Sequence, residues 1–225
     1  MKKLIALTFL LTAISSFESC LSVKVTSKKK NAAAKATEKP DPKPKKDDIN
    51  PYDKVITKDA KSDDGLFKVH NIDNSFFYEI PDTLFDKEML MVTRISKTAS
   101  GVGFGGGKQN TQVLRWQKKG KKVVLRVVSY EVFAADSLPV HEAVVNSNFE
   151  PVLYTFPIKA FSVDSTATVI EVTDLFNKDV KALGLPASSR KRYKVTRLES
   201  EKSFIENIKS YPKNIEARHV KTYAA

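Results

Sequence analysis

The sequence predicts a mainly β fold: an antiparallel sheet or sandwich assembled from hairpins, one or two short helices, and a disordered N-terminal tail. Three observations carry this. From Pro51 onward, short β-branched and aromatic runs are separated by turn-forming residues, the pattern of half-buried strands. In that region only Leu175–Leu183 is punctuated as a helix at both ends. Residues 21–50 hold nine Lys, four acidic residues and three Pro, with Leu21, Val23, Val25 and Ile49 as their only large aliphatics. So little apolar surface cannot offset the chain entropy of ordering.

The elements follow in order. Gly65–His70 and Ser75–Ile80 read as the first two strands, joined by Asn71-Ile72-Asp73-Asn74. Pro81-Asp82 opens a single helical turn through Leu84 and Phe85, and Met89–Ile95 is a third strand. Gln112–Gln117 and Lys122–Val132 form a hairpin with Lys118–Lys121 at its turn. Leu114 and Trp116 share one face of it by the two-residue strand period. Val152–Phe161 and Ala167–Val172 make another hairpin, and Pro157 predicts an edge position because proline cannot donate into a ladder. Thr173 or Asp174 caps the helix, Gly184 suits a left-handed exit, and Pro186 prevents continuation. A final strand, Ile215–Tyr223, is followed only by Ala224-Ala225. An open terminal edge invites association, so the β-rich domain, residues 51–225, is expected to be truncated at its C-terminus.

The first residues read as an address. Met1-Lys2-Lys3 precedes the apolar run Leu4–Phe17, which is shorter than the roughly 20 residues a membrane-crossing helix needs. The layout is that of a secretory signal peptide over residues 1–19. The only cysteine, Cys20, follows directly. This resembles a bacterial lipoprotein signal, in which cleavage before the cysteine leaves a diacylglyceryl anchor on its sulfur. Cys20 is therefore the expected lipid-attachment residue, although Glu18 departs from the usual approach and ordinary cleavage after Ala13-Ile14-Ser15 is the alternative. The expected location is the cell envelope after export, lipid-anchored in the periplasm or outer membrane. Residues 20–50 then form a Lys/Pro-rich tether spanning about 30 Å root-mean-square, either a membrane spacer or a solvated tail.

The formal charge of +12 overstates the basicity of the folded region, where 27 basic side chains meet 21 acidic ones. The clusters Lys118-Lys119-Gly120-Lys121-Lys122 and Arg190-Lys191-Arg192 read as a hairpin tip and a loop. Neither is the aromatic-interleaved face of a nucleic-acid binder, and no nucleic-acid partner is expected. A single cysteine excludes an internal disulfide and a Cys-rich zinc module.

Two motifs fail on context. Gly101-Val102-Gly103-Phe104-Gly105-Gly106 satisfies G-x-G-x-x-G, but a strand follows where a dinucleotide site needs a helix. It reads instead as a mobile connection between strands. His141-Glu142-Ala143-Val144-Val145 has Val where H-E-x-x-H needs its second histidine, and one imidazole does not hold Zn²⁺. His141 and Glu142 are expected on a surface or loop. His70 and His219 have no supporting acid-and-histidine spacing and read as structural, and no G-x-S-x-G elbow is present. No catalytic residue, metal ligand or cofactor is expected in this chain.

Several phrases together carry a likeness: Pro51-Tyr52-Asp53-Lys54-Val55-Ile56-Thr57, Asp64-Gly65-Leu66-Phe67-Lys68-Val69-His70, Tyr78-Glu79-Ile80-Pro81-Asp82, Val92-Thr93-Arg94-Ile95-Ser96, Asn146-Ser147-Asn148-Phe149-Glu150-Pro151 and Val172-Thr173-Asp174-Leu175-Phe176. In this order they resemble the N-terminal, uncharacterised region of exported bacterial zinc-dependent metallopeptidases. In that family a metzincin-like part bearing H-E-x-x-H-x-x-G-x-x-H follows, and this chain has no such motif. The resemblance implies a non-catalytic region that supports, or presents substrate to, a downstream metallopeptidase domain or a separate catalytic chain, with zinc confined to that part. The alternative expectation is a free-standing lipid-anchored β-domain that binds a surface protein or glycan.

Overall fold

A computed structural model describes residues 49–225. The expectations for residues 1–19, for the tether up to residue 48 and for Cys20 lie outside the described residues. Among those residues are β1 (Lys61–Asp63), β2 (Lys68–Ile72), β3 (Ser75–Pro81), β4 (Glu88–Arg94), β5 (Lys108–Lys119), β6 (Lys122–Val128), β7 (Val152–Phe161), β8 (Ala167–Glu171), β9 (Phe204–Ser210) and β10 (Ile215–Val220). Four short helices accompany them: α1 (Tyr52–Val55), α2 (His141–Ser147), α3 (Thr173–Asn177) and α4 (Ala187–Tyr193). The first eight strands make one antiparallel sheet in the order β1-β2-β3-β8-β7-β6-β5-β4, and β9 pairs with β10 in a second, two-stranded sheet. The mainly β, antiparallel reading holds.

The sheet turns on β7. Its first half pairs with β6, ending with Pro157 opposite Lys122, and its second half pairs with β8 from Ile158 onward. Pro157 thus sits where β7 changes partners. A strand with a neighbour on each side is not the edge that Pro157 predicted. The missing donor is tolerated because the ladder is handed over there, with the Ile158 N–H donating to the Lys121 carbonyl at 3.0 Å.

The handover lets the sheet curl. In a flat sheet β3 and β5, four strands apart, would lie about 19 Å from each other. Yet the Tyr78 and Trp116 rings stand 6.3 Å apart, edge to face. Phe67, just before β2, meets Trp116 at 6.0 Å, and Phe156 of β7 meets it at 5.5 Å. All four rings are buried, so the two halves of the sheet close around one aromatic core. Leu114 and Trp116 both point into it, as their shared face predicted.

The hairpin of β5 and β6 turns on Gly120 and Lys121, with Gly120 supplying positive φ at the first turn position. β6 ends at Val128, four residues short of the expected Val132. β2 begins at Lys68, not Gly65. Gly65 is needed for clearance: a Cβ there would lie 2.5 Å from Ser210 Oγ and 2.7 Å from the Tyr211 backbone.

The expected helix over Leu175–Leu183 stops at Asn177. Lys178 is extended, and the Lys221 ammonium occupies the carbonyls of Phe176 and Lys178 at 2.6 and 2.8 Å. The expected caps act differently as well: Thr173 is already helical, and its Oγ1 accepts from the Phe76 N–H of β3. Gly184 does not adopt a left-handed φ. It allows close approach, with Tyr223 Oη, Asp179 Oδ1 and an Arg190 nitrogen within 3.0–3.3 Å of where a Cβ would stand. Pro186 precedes a further helix, α4, where a loop was expected for Arg190-Lys191-Arg192, and the Arg190 N–H closes its first turn onto the Pro186 carbonyl. The final run is not an isolated strand: β10 pairs along β9, and Tyr223 bridges to Leu198.

Trp116→Ala should cost about 3–5 kcal/mol in a urea unfolding titration. Leu90→Ala, at a side chain 67% exposed, should cost no more than about 0.5 kcal/mol.

Candidate functional site

The curled sheet has two outward regions, and each is covered differently. Over β2 and β3 lies the segment containing α1. Tyr52 Oη donates to Glu79 Oε2 at 2.7 Å, and the same carboxylate oxygen lies 3.0 Å from His70 Nε2. His70 Nδ1 is 2.7 Å from Ser62 Oγ. These side chains meet because of register: Ser62 of β1 is opposite His70 of β2, and Lys68 of β2 is opposite Glu79 of β3. His70 is 1% exposed, whereas Ser62 is open to solvent.

Burial works against the Glu79 charge, but hydrogen bonds from His70 and Tyr52 overcome it and hold its carboxyl below the ordinary range. An ionised carboxylate only accepts, so the His70 Nε2–H donates to Glu79, while Nδ1 and the Ser62 hydroxyl share the second hydrogen bond. Burial and the hydrogen bond to Glu79 raise the Tyr52 phenol above its ordinary value. His70 is structural in the sense that it ties β1, β3 and α1 together, but the ordered chain Ser62–His70–Glu79 was not expected from sequence spacing. The one signal available was the alternation of two short strands, and β1 was too short and polar to be recognised. Ser62 also borders a cleft of about 220 Å³ shared with Asn71, Phe76 and Ile208.

The other outward region, over β4–β6, is crossed by the connection between β6 and β7, residues 129–151. Arg115 of β5 holds it, pairing with Glu88 of β4 and with Glu150, both at 2.6 Å. Tyr130 donates to Glu88, and that bond together with Arg115 holds the Glu88 carboxyl below its usual range. The Phe149 ring lies 4.7 Å from the Arg126 guanidinium, and Tyr130 and Phe133 meet at 6.3 Å. Despite these contacts the connection leaves Tyr130, Val132, Phe133, Leu138, Val140, Val145 and Phe149 about half exposed or more. Beside it, β4 has β5 as its one ladder partner among the described residues and exposes Leu90 and Val92. Apolar side chains gathered this way make this connection the candidate docking surface.

His141 and Glu142 open α2 within this connection, on the surface as expected, though on a helix and not a loop. His141 Nδ1 lies 2.9 Å from the Ala134 carbonyl, which holds the short helix against its own connection. Among the described residues no three His, Cys, Asp or Glu side chains gather as metal ligands would. The glycine run lies in the connection from β4 to β5, and Gly101, Gly103 and Gly106 all take positive φ. The two basic clusters are partly engaged within the fold: Lys118 pairs with Asp82 at 2.5 Å, and Arg190 makes a two-pronged pair with Asp179. That Arg190–Asp179 pair borders a groove of about 630 Å³ with Gln109, Asn110, Gln112 and Leu153. No helix among the described residues is long and apolar enough to cross a membrane.

At the back of α3, His219 of β10 sits 5.6 Å from the Phe176 ring. Burial, and then the nearby Lys221 charge, push the imidazole down to about 4. Burial also lowers Lys221 to about 8.

Residues 106–225 match the family described as Domain of unknown function (DUF5117), and residues 49–98 match the one described as Domain of unknown function (DUF5118). No curated protein and no solved structure matches the chain. The two matched segments meet across the glycine-containing connection, yet β4 of the first pairs with β5 of the second and β3 pairs with β8.

His219 is neutral in the fold, while the unfolded chain binds a proton near pH 6.5. Its contribution to stability is complete above that pH and declines as pH falls toward 4. Thermal unfolding across this window should show a loss on the order of 2 kcal/mol from this group, and His219→Phe should flatten that part of the profile.

Proposed function

We propose, on the premise that the chain belongs to the family described as Domain of unknown function (DUF5117), that it is the N-terminal region, non-catalytic toward peptide bonds, of an envelope zinc-dependent metallopeptidase system. Its role is to dock a catalytic domain or chain and to support it or present substrate to it. The observation that carries this reading is the apolar surface of residues 129–151 beside the open edge of β4. A connection of this length, pinned by Arg115 and still holding Tyr130, Phe133, Leu138 and Phe149 outward, has the character of an interface core rimmed by charge. The ordered family phrases support the association with a zinc-dependent peptidase. On this reading the zinc chemistry belongs to the partner, and the chain is held at the envelope through Cys20.

Two measurements test this. The purified chain, supplied with Zn²⁺, should show no chelator-sensitive cleavage of casein; chelator-sensitive proteolysis by the chain alone would overturn the assignment. In cells, cross-linking through residues 129–151 should capture a polypeptide that mass spectrometry identifies as bearing H-E-x-x-H-x-x-G-x-x-H. Phe133→Asp with Leu138→Asp should reduce that capture at least about tenfold while leaving the unfolding midpoint within a few degrees, as expected for exposed positions. Undiminished capture would move the docking surface elsewhere.

A further inference from the structure

We propose that Ser62 is an activated nucleophile, and that with His70 and Glu79 it forms an acyl-transfer site for esters whose leaving group departs as a stable anion. This site is independent of the docking surface and of zinc. Three features of the geometry support it. Ser62 Oγ lies 2.7 Å from His70 Nδ1, and His70 Nε2 lies 3.0 Å from Glu79 Oε2, so nucleophile, base and orienting carboxylate are all within hydrogen-bond reach. Glu79 accepts from Nε2, so Nδ1, the ring nitrogen that faces the serine hydroxyl, is the one that serves as base in the neutral imidazole. Ser62 is solvent-exposed while His70 is buried, so an electrophile reaches the hydroxyl and water does not compete for the base. Tyr52, donating to the same Glu79 oxygen, keeps that carboxylate aimed at the imidazole.

The burial of His70 also sets the substrate class. In the first step Ser62 Oγ bonds to the acyl carbon, its proton passes to His70 Nδ1, and the bond from the acyl carbon to the leaving group breaks. That group takes the electron pair. A buried imidazolium can return its proton to Ser62 but cannot reach a leaving atom on the solvent side, so the leaving group must depart as a thiolate or phenolate. Amides, whose nitrogen must be protonated to leave, are excluded. In the second step water attacks the acyl-serine and gives up a proton to solvent. The bond from Oγ to the acyl carbon breaks, and Oγ recovers its proton from His70, releasing the acid.

The test uses the purified full-length chain with a fluorophosphonate probe, p-nitrophenyl acetate, an acyl thioester and the matching p-nitroanilide. One phosphonyl adduct per chain, mapped to Ser62 by peptide mass and unchanged by chelator, is expected. Ser62→Ala should abolish the adduct and the ester cleavage while the chain stays folded, its melting transition lowered by no more than the loss of one hydrogen bond to His70. Glu79→Gln, checked for folding by circular dichroism, should slow labelling about 100-fold or more. Absence of an adduct at Ser62 in the wild-type chain, or equal ester cleavage by Ser62→Ala, would overturn the proposal. Cleavage of the anilide at the ester rate would overturn the leaving-group restriction. None of these results bears on whether residues 129–151 dock a peptidase, so the two readings fail separately.

Discussion

The position of Pro157 in β7 is the constraint on which the rest of the structure depends. A proline inside an eight-stranded sheet is tolerable only where its missing N–H has no ladder partner to meet. β7 provides such a place by pairing with β6 up to Pro157 and with β8 from Ile158 onward. That handover is also where the sheet changes direction, and it brings Trp116 against Phe67 and Tyr78. Without the curl, the apolar faces of β2–β3 and β5–β6 would each need a separate cover, and the helices among the described residues are too short to supply one.

Closing the core in this way leaves the outward faces to be used differently. Over β2 and β3, Tyr52, His70 and Glu79 satisfy one another, and the member of the relay most open to water is Ser62 at the strand edge. Over β4–β6, two guanidiniums pin a long connection: Arg115 through Glu88 and Glu150, and Arg126 through the Glu150 carbonyl and the Phe149 ring. The contacts there are polar and peripheral, so the connection's apolar side chains remain outside. The proposed acyl-transfer site thus lies at one end of the sheet and the proposed docking surface at the other.

The two family segments, residues 49–98 and 106–225, are not two separate cores. Phe67 and Tyr78 come from the first, Trp116 and Phe156 from the second, and all four belong to one cluster. The glycine-containing connection between them therefore joins neighbouring strands of one sheet, β4 and β5. This accounts for glycines there with positive φ and no nucleotide-binding helix behind them.

Local chemistry was legible in the amino-acid sequence wherever neighbours in the chain decide the outcome. The β class, the hairpin of β5 and β6, the shared face of Leu114 and Trp116, and the absence of the second zinc-binding histidine at Val145 all follow from period, turn residues and ligand count. What the sequence could not disclose are the features set by distant partners. Pro157 looked like an edge because the exchange of β6 for β8 is invisible locally. The helix after Thr173 looked longer because the lysine that caps it, Lys221, lies more than forty residues away. Likewise, β1 is polar and three residues long, and β9 carries Phe204, Ile205 and Ile208 without strict alternation, so only their pairing partners make them strands. The Ser62–His70–Glu79 relay arises from the register of three strands, and backbone pairing, unlike side-chain periodicity, is a property of the folded chain alone.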